Sequence, residues 1–127
     1  IVNITTLTGR AVPGIPHTAA ARAGANNLSL TLSVEWAPYN IRINSIAVGI
    51  VASPGLAHYP ESARPFFDHN PMRRLGEVQD VAEACAFLAA PSAKFITGAI
   101  LPVAGGANVW GEYWPLGMPD YFKTGEE

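Results

Sequence analysis

Three short runs of β-branched and aliphatic residues, 1–6, 41–48 and 96–103, are separated by long stretches that each hold one helical segment. This alternation constrains the fold more than any other feature. Strands joined through connections of that length pair in parallel, because only tight hairpins favour antiparallel neighbours. A parallel sheet needs cover on both faces, and the chain offers only two main helices. It is therefore expected to be one half of an α/β sheet, with the other half absent or supplied elsewhere. The chain also starts at Ile1, directly inside the first strand, so an upstream segment is expected.

Local signals place the elements. Gly9, Pro13, Gly14 and Pro16 mark a loop. The spacing then predicts a helix from His17 to about Ala37, closed by Pro38, with Leu28, Leu32 and Trp36 on its apolar face. Small side chains over Ala19–Ala25 would let a sheet, a second helix or a ligand come close, although helix propensity explains the alanines equally. Residues 52–71 mix Pro, Gly, Ser, His and aromatics, and read as a long excursion with a short helix around Glu61–Asp68. A second helix is predicted over Glu77–Ala90, with Glu77 and Asp80 in its first turn and Cys85 as core filler. The tail, 109–127, carries Trp110, Tyr113, Trp114, Tyr121 and Phe122, and is expected to pack on this subunit or a neighbour.

Composition removes several function classes. At 127 residues the chain is one domain, and 49% hydrophobic against 14% charged residues excludes intrinsic disorder. A net charge of −2 with no basic block argues against nucleic acid or an anionic membrane as partner. A lone cysteine suits a reducing compartment, so a cytoplasmic location is expected. No apolar run is long enough to span a bilayer. His17, His58 and His69 lack metal-ligand spacing and there is no cysteine pair, so no metal is expected.

The blocks Ile1-Val2-Asn3-Ile4-Thr5-Thr6, Leu32-Ser33-Val34-Glu35-Trp36-Ala37, Ile41-Arg42-Ile43-Asn44-Ser45-Ile46-Ala47 and Phe95-Ile96-Thr97-Gly98-Ala99 follow one another in a familiar order. Together they resemble the carboxyl-terminal half of a short-chain dehydrogenase/reductase. The implied fold is half of a Rossmann-type, doubly wound parallel sheet, without its amino-terminal dinucleotide-binding half. His17-Thr18-Ala19-Ala20-Ala21-Arg22-Ala23-Gly24, with Arg where most members carry Lys, is most similar to peroxisomal-type trans-2-enoyl-CoA reductases, with 2,4-dienoyl-CoA reductases next. The resemblance implies an oxidoreductase of fatty acid metabolism that reduces an enoyl thioester or related carbonyl compound with NADP or NAD. It also implies a homodimer or homotetramer, and it makes 52–71 the substrate lid. Gly9, Gly14 and Gly24 form no G-x-G-x-x-G loop, so this chain alone is expected to hold a dinucleotide poorly.

By the same resemblance, Thr6 stands at the end of the fifth family strand, with Thr5 beside it, where a Ser or Thr polarises the substrate carbonyl. Its hydroxyl could serve as an oxyanion donor, while a β-branched residue ending a strand explains it as well. The family's Tyr and Lys, four residues apart, fall on Thr18 and Arg22. An aliphatic hydroxyl can position but hardly protonate, and Arg can hydrogen-bond ribose hydroxyls but cannot shuttle a proton. Arg22 is alternatively a solvated helix arginine. Some enoyl-reducing relatives place the tyrosine elsewhere, at positions held here by Thr8 and Asn26. The proton would then come from water or from His17, although a histidine at a helix start is also a common surface or capping residue. Tyr59 is a remote further source. Gly49-Ile50-Val51-Ala52-Ser53 corresponds to the loop that touches the nicotinamide, with Val48 in place of the usual Pro. Gly49, the backbone of Val51 and the hydroxyl of Ser53 are the implied cofactor contacts, and Gly49 otherwise simply ends a strand. Two other readings stand beside the reductase: a catalytically degenerate fragment that acts as an oligomerising scaffold, and an alcohol or ketone dehydrogenase. The final Thr124-Gly125-Glu126-Glu127 is not a Ser-Lys-Leu peroxisomal address.

Overall fold

In the computed structural model, which describes residues 1–110, 115, 116 and 120, the chain runs β1 (Val2–Thr6), α1 (Pro16–Glu35), β2 (Asn44–Val48), α2 (Val78–Ala89) and β3 (Ile100–Val103). Short 3-10 turns occupy 37–39, 54–58, 61–66 and 91–93. The three strands form one parallel sheet in the order β1-β2-β3. Val2 pairs with Asn44 and Thr6 with Val48, so β1 and β2 end level, and Val48 in turn pairs with Val103. The parallel α/β sheet expected from the alternation of strands and helices is present.

Two predicted strands begin later than their apolar runs suggest, because side chains capture the backbone ahead of the ladder. The Ile43 N–H donates to Thr97 Oγ1 at 3.1 Å and the Gly98 N–H to the Ile43 carbonyl at 2.7 Å. Asn44, almost fully buried, accepts from the Ala99 N–H at 2.9 Å and donates to the Ile96 carbonyl at 3.0 Å. Arg42 reaches across to the carbonyls of Leu88 and Ile96, at 2.9 and 3.1 Å. Together these bonds clamp the segment before β3, and the end of α2, onto the start of β2.

α1 departs from its expected polarity. Leu28 is 57% exposed and Val34 76%, whereas Asn26, Ser29 and Ser33 are the buried residues of the helix. The buried three lie at i, i+3 and i+7, one helical stripe; both hydroxyls and the Asn26 Nδ2 find partners, while Asn26 Oδ1 has none among the described residues. Ser29 Oγ donates to the Ala25 carbonyl at 2.8 Å, accepts from Asn3 Nδ2 of β1 at 2.8 Å, and meets Ser45 Oγ of β2 at 3.1 Å. Small polar residues at this stripe bring α1 close to the sheet. A Cβ on Gly98 would come within 2.7 Å of Ser33 Oγ. The close approach expected at the alanine-rich start of α1 is therefore made one to three turns later, and a Cβ on Gly24 would meet nothing within 4 Å.

The core itself is small, with Ile43, Ile46, Ala47 and Leu88 at its centre. Ser45 faces α1 through Ser29, so by strand alternation Ile46 points to the opposite face. α2 lies against all three strands, and Leu88 is its one fully buried side chain. Cys85, expected as core filler, is only partly buried. Of the aromatic tail, Trp110 is described and half-buried, with the Arg73 guanidinium 5.4 Å from its ring centre. Tyr113, Trp114, Tyr121 and Phe122 lie outside the described residues.

Candidate active site

Crossover helices return antiparallel to their strands, so α1 starts near the carboxyl ends of β1 and β2. That edge gathers most of the residues singled out in the sequence. Thr6 ends β1 directly beside Val48, the last residue of β2, and Gly49–Ser53 continues from there. His17, Thr18 and Arg22 sit on the first turns of α1. Thr18, Arg22 and Asn26 are spaced by four and share one helix face, with Arg22 about 6 Å and Thr18 about 12 Å along the axis from Asn26.

The direction of that face is fixed by Asn26. It is only 4% exposed, and its Nδ2 donates to Thr8 Oγ1 at 3.1 Å, just beyond the end of β1. The stripe thus runs along the segment that follows Thr6. Thr8 and Asn26, the two positions where related reductases relocate their tyrosine, are in contact here as a hydroxyl–amide pair. Neither side chain titrates near neutral pH, so the pair orients but does not protonate. Sequence reading had treated these two as separate positions, and only the fold shows them as one unit.

Thr6 Oγ1 donates to the Val48 carbonyl at 3.2 Å, and the neighbouring Thr5 Oγ1 to the Ile46 carbonyl at 3.3 Å. Both are long for O–H···O bonds, whose common distance is about 2.7–2.8 Å. Thr6 is half-buried at the strand end. Rotation of one side-chain bond releases its proton to an acceptor beyond the strand end. Thr18 is half-buried, His17 and Arg22 are exposed, and among the described residues none of these three side chains makes a hydrogen bond or ion pair.

Gly49 has a structural reason to be glycine, because a Cβ there would lie 2.9 Å from both Cα and Cβ of Ala104. Beyond it, Val51 forms a parallel bridge with Gly76: the Gly76 N–H donates to the Ile50 carbonyl at 2.9 Å and the Ala52 N–H to the Gly76 carbonyl at 2.8 Å. In an extended strand successive peptide groups face opposite sides. The N–H and C=O of Val51 consequently point away from Gly76, and among the described residues the Val51 N–H has no backbone partner. This matches what the carboxamide of a nicotinamide requires, one donor and one acceptor on adjacent backbone atoms. Ser53 is exposed and its hydroxyl caps no turn, which leaves it available to a ligand. The residues present fit the nicotinamide end of a dinucleotide, and no glycine-rich phosphate loop accompanies them.

A cavity of about 340 Å³ lies near the carboxyl ends of β2 and β3, lined by Ile50, Gly76, Asp80, Ala104, Gly105 and others. It contains none of Thr6, His17, Thr18 or Arg22, and of the Gly49–Ser53 loop it touches only Ile50. The edge that gathers the candidate residues is therefore distinct from this cavity.

Ligands of open α/β sheets bind outside the carboxyl ends of the strands, which is where these residues meet. The architecture is that of an α/β protein built on a parallel sheet. Residues 1–108 match the family model described as enoyl-(acyl carrier protein) reductase, and the chain belongs to the short-chain dehydrogenase/reductase family. Galactitol 2-dehydrogenase (L-tagatose-forming) of Cereibacter sphaeroides is 39% identical over 116 residues, covering 87% of this chain and 46% of that protein. The peroxisomal 2,4-dienoyl-CoA reductase of Pongo abelii is 38% identical over 112 residues, covering 84% of this chain and 38% of that protein. Among solved structures, an NADPH-bound short-chain oxidoreductase from Pseudomonas aeruginosa PAO1, described as containing an atypical catalytic center, superposes with a TM-score of 0.75. It is 31% identical and covers 87% of this chain and 46% of that one. The chain spans less than half the length of these relatives, and its sheet corresponds to part of their Rossmann-type fold.

Proposed function

We propose that the protein is an NAD(P)H-dependent reductase of an α,β-unsaturated acyl thioester or a related carbonyl compound, with this chain as its partial catalytic domain, 1–127. The observation that carries the reading is the N–H and C=O of Val51 that face away from Gly76, one strand from the hydroxyl of Thr6 at the end of β1. When bound, the dinucleotide supplies the hydride. Val51 and Ser53 orient its nicotinamide end, with Gly49 allowing the tight turn past Ala104, and Arg22 meets ribose hydroxyls. Thr6 Oγ1 donates to the acyl oxygen as negative charge builds there, an arrangement whose loss elsewhere costs about 10²–10³ in rate. Thr18 helps to position that oxygen. The enolate that follows takes its proton from water or from His17, exposed at the start of α1.

Lone Cys85 supports a cytoplasmic setting, and the exposed Leu28 and Val34 on α1 support a homodimer or homotetramer. Among the described residues no helix is long and apolar enough to cross a membrane. The likeness to galactitol 2-dehydrogenase supports a second reading, an alcohol or ketone dehydrogenase, which lacks an acid of suitable pKa at Thr18. NADPH oxidation measured with an enoyl thioester and with a simple ketone separates the two. A rate on the thioester that falls about a hundredfold in Thr6→Ala supports the proposal. Cofactor binding without turnover on either substrate overturns it in favour of a scaffold.

A further inference from the structure

Three threonines carry hydroxyls at the carboxyl end of β1, and they place their protons differently. Thr5 Oγ1 donates to the Ile46 carbonyl and Thr6 Oγ1 to the Val48 carbonyl. Thr8 Oγ1 instead accepts, taking a hydrogen of Asn26 Nδ2 at 3.1 Å. A hydroxyl has one proton and two lone pairs, so a hydrogen received on one lone pair leaves the O–H still to be placed. Among the described residues no acceptor takes it. Thr8 is half-buried, which leaves that proton within reach of a ligand.

Asn26 fixes this state. The residue is 4% exposed, its Nδ2 is engaged with Thr8, and its Oδ1 is buried without a partner among the described residues. Stranded acceptors of this kind are rare in folded proteins and call for a reason. Turning the amide about would set Oδ1 against Thr8, where it would take the hydroxyl proton and leave both Nδ2 hydrogens stranded. The orientation present strands one oxygen and keeps Thr8 a donor. Thr18 and Arg22 continue the same stripe toward the start of α1, so the hydroxyl lies beside the helix face that carries them.

We infer that Asn26 is a positioning residue that holds the Thr8 hydroxyl as a second hydrogen-bond donor to the substrate oxygen that Thr6 meets. The inference rests on the proposed reduction, and it gives a task to a pair that transfers no proton itself. Thr6 and Thr8 are two residues apart, their Cα atoms within about 7 Å, so two hydroxyls can meet one oxygen. A carbonyl oxygen has two lone pairs, and both bonds strengthen as it gains negative charge. Thr6 must release the Val48 carbonyl in order to donate, whereas Thr8 releases nothing.

Steady-state NADPH oxidation by the whole protein, with an enoyl thioester and with a simple ketone, tests the assignment. On whichever substrate the parent turns over, Thr8→Val is expected to lower kcat/KM about tenfold, and Thr8→Ser, which keeps the O–H, to recover most of that loss. Asn26→Leu is expected to cost about threefold to tenfold. Because it acts through Thr8, the double variant Thr8→Val, Asn26→Leu should be no slower than Thr8→Val alone. Asn26→Asp gives a second readout, since a carboxylate takes the Thr8 proton and only the protonated acid can donate to Oγ1 in its place. Its rate relative to the parent should rise as pH falls, and the rise should vanish once Thr8→Val is added. Full activity in Thr8→Val, multiplied losses in the double variant, or a rise that survives without the Thr8 hydroxyl overturns the assignment and leaves the reductase reading standing. A parent that oxidises NADPH with neither substrate overturns both.

Discussion

Between α1 and the sheet, polar side chains are consumed internally. Asn3, Ser29 and Ser45 bond one another across three elements, and Ser29 and Ser45 are at most 2% exposed. Across 54–75 most polar side chains stay in water instead: Arg64 is exposed on a short 3-10 turn and Asp68 on the turn that follows it, both lining a groove, with Tyr59 and Phe67 meeting edge-to-face at 6.0 Å. The first region uses hydrogen bonds to fix geometry, since an unmade bond there costs the full desolvation of the group left behind. The second leaves its polar groups where a ligand can reach them. A braced helix–sheet layer beside a more accessible loop is the usual contrast between a scaffold and the segments it carries.

The comparison breaks most sharply at the scaffold. Ile46, 0% exposed in the central strand, is one of few large side chains in a small core. Ile46→Ala should cost about 2–5 kcal/mol, enough to unfold a marginal domain, as read by urea denaturation. A midpoint that does not move would mean that the centre of the sheet contributes no packing. Ser29→Ala comes next. It removes the acceptor for Asn3 Nδ2 and the partner of Ser45, and should cost about 1–3 kcal/mol despite deleting a single oxygen. If the double variant Ser29→Ala, Asn3→Leu is no more stable than Ser29→Ala alone, the stranded amide is not the source of the loss.

Much of this was legible in the residues, and the rest failed for identifiable reasons. Parallel strands followed from β-branched runs separated by helical stretches, and the termini of α2 from Glu77, Asp80 and Pro91. The buried face of α1 was misread because Leu28 and Trp36 weigh more than serine in any apolar periodicity. The contrary signal was present in the polar stripe Asn26, Ser29 and Ser33 and in Asn3, Asn44 and Ser45 at strand positions. Polar residues inside strands need partners, and a polar stripe on the adjoining helix supplies them. For the site, spacing put Thr18, Arg22 and Asn26 on one face, but only the fold could show that Asn26 meets Thr8.

Gly49 joins the two regions, ending β2 where the site loop begins. A methyl group there would press on Ala104 at 2.9 Å, backbone included, so Gly49→Ala should cost about 1–3 kcal/mol and displace Val51 as well. Nicotinamide affinity should fall with stability, because the Val51 peptide groups move with the turn. Loss of stability with affinity retained would detach Val51 from cofactor binding.

The smallest effect sits where the excursion hands over to α2. Arg74 lies beside Asp80, and its hydrogen bond is the main reason that the Asp80 carboxyl is held below the ordinary value of 3.8, with the Glu77 N–H adding to it at 2.8 Å. A carboxyl whose folded pKa is depressed contributes stability that is fully present above its unfolded value and is lost as pH falls through the folded one. Asp80→Asn keeps an oxygen for the Glu77 N–H while removing the charge. The variant should therefore be slightly less stable than the parent at pH 7, by less than any change above, since both side chains of the pair are substantially exposed. That gap should narrow as the pH falls from 3.8 through the depressed pKa of the folded carboxyl, where the parent loses its charge too. A gap that stays constant as the pH falls from 7 until the parent carboxyl has titrated would show that Asp80 acts through shape and capping alone.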